Sequence, residues 1–397
     1  MIYFDHNATA PLLPEAKQAW LKASEEFIGN PSSPHRFGSR AENALNEGRE
    51  KLAHILGCDA AEIIWTAGAT ESNNLVLHHL AKSLGDKKEV WISAIEHPCV
   101  LAPAKYFFQK KVKLIPVNSH GLIELDWLQT RLKKQKPGLI AIMAANNETG
   151  LLQPWRDVLK ICRENKIPFF CDAAQWIGKL PAEGFGGCDF VSGCAHKFGG
   201  PKGVGFLKCP IHGKLFPMFQ GGKQEEGRRA GTENVAGIIS MMAALEEREK
   251  QLTENEIQNR ISLRNHFEIN LLQNFPGARI IGASHDGLWN TVSVIMPETD
   301  SPQRWAVKLD KLGFAVSTGS ACASGREEPS HVLRAMGISF AEASRVLRFS
   351  SSWETSADEW NQLLEALQKV RQKINLTTDE KRESARLIKV IHSRARS

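Results

Sequence analysis

Short runs of β-branched and aromatic residues recur along the chain, separated by stretches whose apolar positions fall at helical spacing. The runs at Glu62 to Trp65, Glu89 to Ser93, Val112 to Val117, Leu139 to Ala144, Pro168 to Asp172, Phe190 to Gly193 and Gly203 to Leu207 read as strands. Several, PFFCD among them, are apolar at consecutive positions, as strands are when helices cover both faces of their sheet. Such strands alternating with helices predict an α/β architecture. From Val235 to Phe275 the pattern turns helical and charged, long enough to carry the chain out of this first unit. Beyond it, Thr291 to Ile295, Phe314 to Ser317 and Leu347 to Ser350 read as strands, with helix after Ala357, which predicts a smaller α+β unit. The expected division is a large domain at 15–250 and a small one formed by 1–14 with 251–397. The arm before Pro14 is too short to fold alone and must pack on one of the two. There is no internal repeat and no low-complexity segment.

Composition narrows the function classes. The chain has 397 residues, and its 50 Lys and Arg against 44 Asp and Glu are interspersed, so the net +6 is no footprint for direct nucleic-acid binding. The basic residues clustered between Asp379 and Ser397 read as a solvated tail before they read as an RNA-binding helix. The start, MIYFDHNATAPLLP, lacks a basic region followed by an apolar stretch, and no segment approaches the roughly 18 apolar residues of a membrane span. A cytoplasmic protein without membrane association is expected. Eight cysteines without a CxxC pair suggest neither a disulfide framework nor a zinc site, and most read as small buried hydrophobes.

Several strand ends carry polar groups. VSGCAHKFGGPKG sets His196 and Lys197 after a strand and before glycines that let a planar group approach the backbone, as a Schiff-base lysine needs. Asp172 ends an apolar strand, where a buried carboxylate asks for a cationic partner such as a protonated pyridine nitrogen; it can equally cap the following turn. TAGATESNN runs from a strand into a helix, whose first N–H groups with the Thr70 hydroxyl can hold a phosphate. His97 in EHP and Asn147 in ANNETG follow two further strands, at the edge where open α/β sheets bind ligands. Cys322 sits among Gly, Ser and Ala in STGSACASG, a setting that gives a thiol access.

With NPSSPHRFG, GGKQEEGRRAGTEN, EPSHVLRAMG and LRFSSS, these motifs resemble over nearly the whole chain the cysteine desulfurase family, the NifS and IscS type within the class V aminotransferases. The resemblance implies the type I fold of pyridoxal 5'-phosphate (PLP) transferases, with a seven-stranded, mostly parallel sheet, and a homodimer with sites at the subunit boundary. It implies that Lys197 carries PLP, Asp172 pairs the pyridine nitrogen, Gln175 bonds the ring hydroxyl and His97 stacks on the ring. Ala69, Thr70, Cys194, His196 and, from the other subunit, Thr232 would hold the phosphate. Asn147, beside the cofactor, and Arg348 would orient the substrate, and Cys322 would receive its sulfur. Cys194 departs from the family's usual Ser, a better hydrogen-bond partner for phosphate.

The reaction so implied takes sulfur from L-cysteine, leaving alanine and a persulfide on Cys322 for a sulfur-acceptor protein. Selenocysteine lyase and an ordinary class V aminotransferase are the alternatives on the same scaffold, and a non-catalytic scaffold is the alternative from another class.

Overall fold

The computed structural model describes residues 1–85, 88–211, 215–283, 285–298, 303–318 and 330–372. Cys322 and the basic tail lie outside the described residues.

After β1 (Ile2–Tyr3), helices α1 (Pro14–Glu26) and α2 (Arg36–Leu56) precede the main sheet. Alternation follows, as the sequence predicts: β2 (Ile63–Thr66), α3 (Ala69–Ser83), β3 (Val90–Ser93), α4 (Pro98–Phe108), β4 (Val112–Ile115), α5 (Leu125–Leu132), β5 (Leu139–Ala141), α6 (Trp155–Asn165), β6 (Phe169–Asp172), β7 (Phe190–Cys194) and β8 (Gly205–Lys208). The seven strands form one sheet in the order β2-β8-β7-β6-β5-β3-β4. Strand β8 runs antiparallel to both its neighbours, β2 and β7, and the other described pairs of the sheet are parallel. The sheet is covered on both faces, which is why β2, β3, β5, β6 and β7 are buried at every position. Helix α6 shows how the covering works: Trp155, Val158, Leu159 and Cys162 fall at i, i+3, i+4 and i+7 and are its buried residues.

Helices α7 (Val235–Gln251) and α8 (Glu254–Asn274) lead away from the sheet. The expected single helical passage is thus two helices, because Thr253 leaves the helix and its hydroxyl accepts from Glu256 N–H, capping a new one. Then come β9 (Arg279–Ile280), β10 (Thr291–Ile295), α9 (Gln303–Lys311), β11 (Phe314–Ala315), β12 (Ser317–Thr318), α10 (His331–Ala335), α11 (Phe340–Ala343), β13 (Val346–Ser350) and α12 at residues 357–372. A four-stranded antiparallel sheet runs β12-β13-β10-β9. Its core holds Phe267, Phe349 and Trp360, with Phe4 of the arm 4.7 Å from Trp360 between ring centroids.

The N-terminal arm packs on both units, against the expectation of one. Its β1 pairs in parallel with β11 and His6 N–H bonds to Ser350. A few residues on, Ala10 N–H bonds to His196 O at 2.7 Å and Leu13 N–H to Gly199 O at 2.9 Å. Asp5 to Thr9 therefore cross the boundary beside the C-terminal ends of the parallel strands.

Candidate active site

The strand ends meet at one cavity of about 830 Å³, lined by Ala69, Thr70, His97, Asn147, Asp172, Gln175, Cys194, His196 and Lys197 among others. Its first end is built by the turn from β2 into α3. Gly68, at φ 146°, holds a conformation open essentially to glycine, and it aims the start of α3 at the cavity. A side chain at Gly205 would strike Gly68 Cα at 2.6 Å, so the glycine of β8 allows this approach. The first N–H groups of α3, at Ala69 and Thr70, have no carbonyl within the helix to meet. Cys194, ending β7, stands beside the Ala69 N–H, and burial pushes its thiol up to about 11. His196 Nδ1 lies 3.3 Å from Thr9 Oγ1; burial, with Lys197 and Lys202, pushes its pKa down to about 4. Lys202, a cation on the cavity wall, is missing from the sequence-based set.

Asp172 and Lys197 face the same space. Asp172 Oδ1 accepts the Ala174 N–H at 3.0 Å, so the carboxylate does cap its turn, and Oδ2 accepts Asn73 Nδ2 at 2.8 Å. No cation forms a salt bridge with it among the described residues, although it is only 6% exposed. Lys197 Nζ donates to the carbonyls of Asn7 and Ala8, the latter at 2.9 Å. Burial foremost, with Arg348, depresses its pKa, favouring the neutral amine. Gln175 Nε2 donates to the same Asn7 carbonyl at 2.8 Å, while its Oε1 accepts from the buried Lys179 at 2.6 Å. Asn7 and Lys179 are site residues that the sequence reading missed.

His97 follows β3 and caps α4, its Nδ1 accepting the Cys99 N–H at 3.2 Å. Burial lowers its pKa, with Lys197 and His331 adding to that effect and Asp172 opposing it. Arg348, on β13, is outside the cavity lining: Nη2 pairs with Asp5 at 2.6 Å and Nη1 donates to Asn147 O at 2.8 Å. Thr232 is exposed and does not line the cavity of its own chain.

These groups fit pyridoxal phosphate. The start of α3 suits an anionic phosphate, Asp172, with no cation partner among the described residues, suits a protonated ring nitrogen, and Lys197 offers a half-buried amine on the cavity wall for a Schiff base.

Residues 2–363 match the family model described as aminotransferase class-V. A curated relative from Dictyoglomus turgidum (strain DSM 6724 / Z-1310), called cysteine desulfurase IscS, is 37% identical over 387 residues, 96% of this chain and 97% of its own. Another, called cysteine desulfurase NifS, from Azotobacter vinelandii, is 35% identical over 91% of this chain and 90% of its own. Among solved structures, a NifS-like protein superposes with a TM-score of 0.85 at 34% identity, covering 94% of this chain and 99% of that one. A structure described as SspA in complex with cysteine superposes with a TM-score of 0.76 at 32% identity, covering 88% and 98%.

Proposed function

The chain belongs to the class V aminotransferase family as a PLP-dependent cysteine desulfurase, and on that premise we propose that Lys197 holds the cofactor while Cys322 receives the sulfur of L-cysteine as a persulfide. The observation that carries the reading is the meeting of Lys197, Asp172 and the start of α3 around one cavity.

When bound, PLP supplies a conjugated ring that takes up the negative charge left on the substrate carbon. Asp172 would keep the ring nitrogen protonated, and Ala69, Thr70, Cys194 and His196 would hold the phosphate. With the cofactor bound, Lys197 would take the α-proton, and the Asn7 and Ala8 carbonyls are placed to accept the N–H groups of the ammonium that results. Arg348 orients the substrate carboxylate, with Asp5 and the Asn147 carbonyl fixing the plane of its guanidinium. Asn147 and His97 complete the walls around the substrate and the ring. The Cys322 thiolate attacks the substrate sulfur; the sulfur–sulfur bond forms as the carbon–sulfur bond breaks, its electron pair stays with the substrate carbon, which takes up a proton, and alanine leaves with the sulfur held as a persulfide.

We further propose a homodimer in which Thr232 reaches the partner's phosphate site, in keeping with its exposure on its own chain. The persulfide passes to an acceptor protein of iron–sulfur or thio-cofactor assembly. Seven free cysteines among the described residues are in keeping with a reducing compartment, the cytoplasm. No described helix is long and apolar enough to cross a membrane. The proposed division at residues 250 and 251 is supported by separate clusters on the two sheets, although Val332, Leu333 and Val346 join the larger one.

The test pairs two variants. Lys197→Ala should abolish the visible absorbance of bound PLP. Cys322→Ala should keep that absorbance and lose alanine formation from cysteine; normal turnover by Cys322→Ala would remove the persulfide assignment.

A further inference from the structure

Between Asp172 and His97 runs a chain of hydrogen bonds through two residues to which no role has been given. Asn73, fully buried on α3, reaches Asp172 Oδ2 at 2.8 Å and Cys99 Sγ at 3.0 Å, both through Nδ2. Cys99 Sγ in turn lies 2.9 Å from His97 Nδ1. The chemistry of the donors fixes every proton in this chain. Turning the Asn73 amide over would set its oxygen against the Asp172 carboxylate, two acceptors face to face, so the NH₂ group points to both neighbours. The Cys99 sulfur is therefore an acceptor towards Asn73; the Thr70 hydroxyl also reaches it, and as a further donor leaves the thiol hydrogen for His97. At the other end, His97 Nδ1 also receives the Cys99 backbone N–H, which can only donate. A ring nitrogen with two donors aimed at it carries a lone pair, and the ring proton resides on Nε2.

We propose that Cys99, held by Asn73, is a positioning residue that fixes His97 as its Nε2–H tautomer and links its proton affinity to the Asp172 carboxylate. His97 then enters turnover as a neutral ring with its proton on Nε2, the nitrogen opposite the one that receives the Cys99 N–H and thiol. A thiolate–imidazolium pair is the other arrangement the Cys99–His97 distance allows, and the surroundings oppose it. Burial and the Asp172 charge push the Cys99 thiol up to about 12, and burial pushes His97 down. The other charged groups facing His97 are Lys197, from the turn after β7, and His331, from α10. Both disfavour an imidazolium, and only Asp172 favours it.

The proposal rests on reading the cavity as the PLP site, so the absorbance of bound PLP in the wild-type holoenzyme is checked first; its absence would count against that reading and leave the tautomer to be decided on its own. The ¹⁵N spectrum of His97 should show an unprotonated Nδ1 and a protonated Nε2 at neutral pH. In Cys99→Ala, Nδ1 keeps only the backbone donor, and the ring should bind a proton about threefold more tightly. The acid limb of the kcat profile for alanine formation then moves up by about half a pH unit. Cys99→Ser, which restores a donor of similar reach, should bring the limb back towards wild type. A protonated Nδ1 in the wild type, an unmoved limb in Cys99→Ala, or a Cys99→Ser limb displaced as far as that of Cys99→Ala would each overturn the proposal. Should Cys99→Ala fail to assemble the site, the wild-type ¹⁵N spectrum and the Cys99→Ser profile still decide it.

Discussion

Lys179 Nζ lies 2.6 Å from Gln175 Oε1 and 2.9 Å from Asn7 Oδ1, so one buried amine joins the strand-end segment after β6 to the N-terminal arm. The contact determines which way the Gln175 amide faces: with Oε1 taken by Lys179, Nε2 is left to donate to Asn7 O and, as proposed, to the cofactor ring hydroxyl. The same Asn7 carbonyl receives Lys197 Nζ, so Lys179 supports the resting place of the proposed cofactor lysine without touching the cavity. Burial and the nearby Lys197 depress the Lys179 pKa well below that of a free lysine.

Lys179→Met should retain the packing volume and strand the Gln175 Oε1 acceptor, whereas Asn7 Oδ1 keeps Asn290 Nδ2 at 3.1 Å. Leaving a buried polar group unpaired costs about 1–3 kcal/mol, so the melting temperature of the apo-protein should fall by about 1–4 degrees. PLP should also dissociate faster, because the Gln175 amide is free to turn. A melting curve and a cofactor titration indistinguishable from wild type would show that Lys179 merely fills space.

What the sequence makes legible here is the strand ends. Asp172, His97, Asn147 and Lys197 each follow an apolar run short enough to be a strand, and the position after such a run is where a parallel sheet opens to ligands. Asn7 and Lys179 carry no such mark. Their contacts with each other span 172 positions, and Asn7 meets Lys197 across 190, so only the folded chain brings them together. Strands β1 and β9 escape notice because two residues are too few to show alternation. The roles of Arg348 and Thr232 came from the family resemblance alone, since neither sits at a strand end of the large sheet.

Cys194 offers a gain-of-affinity test. Its thiol is buried, faces the Ala69 N–H and stays protonated at neutral pH, with a pKa of about 11. Sulfur is a weak donor to a phosphate oxygen, whereas a hydroxyl at the same place makes a full hydrogen bond. Cys194→Ser should therefore tighten PLP by about 3–10-fold, corresponding to one neutral hydrogen bond of ~0.5–1.5 kcal/mol. Equilibrium dialysis of apo-protein against PLP measures it. Weaker binding by the serine variant would show that the pocket is shaped around the sulfur.

Ser330 ties the start of α10 to the cavity wall. Its hydroxyl donates to Glu148, next to Asn147, and accepts the N–H groups of Val332 and Leu333. The following His331 donates from Nε2 to the carbonyl of Glu96, next to His97, at 2.8 Å. Ser330 comes eight positions after Cys322, so this anchorage lies close along the chain to the proposed nucleophile. Ser330→Ala should slow persulfide formation on Cys322 about tenfold while leaving the spectral change on cysteine binding intact. Loss of the cap should also lower stability by ~1 kcal/mol. Rapid-quench labelling of Cys322 separates the two effects, and a persulfide rate equal to wild type would place the anchorage outside catalysis.

His6 predicts an acid sensitivity that does not depend on the cofactor. Burial foremost, with the nearby Lys179 charge, holds its pKa at about 4 against 6.5 for a free imidazole. The unfolded chain therefore binds a proton at this site as pH falls through 6.5, while the folded chain refuses it until about 4. Stability from this group is complete above pH 6.5 and is lost steadily as pH falls towards 4, by ~3 kcal/mol in all. The ring is only 7% exposed and its Nδ1 has no partner among the described residues, so solvent does little to soften the effect. His196, depressed to a similar value, adds a smaller share because its ring opens on the cavity. Urea midpoints of the apo-protein between pH 7 and 4 should show this slope. His6→Asn, which removes the titrating group, should be less stable at pH 7 yet lose less on acidification, and an equal slope in both proteins would assign the acid sensitivity to other groups.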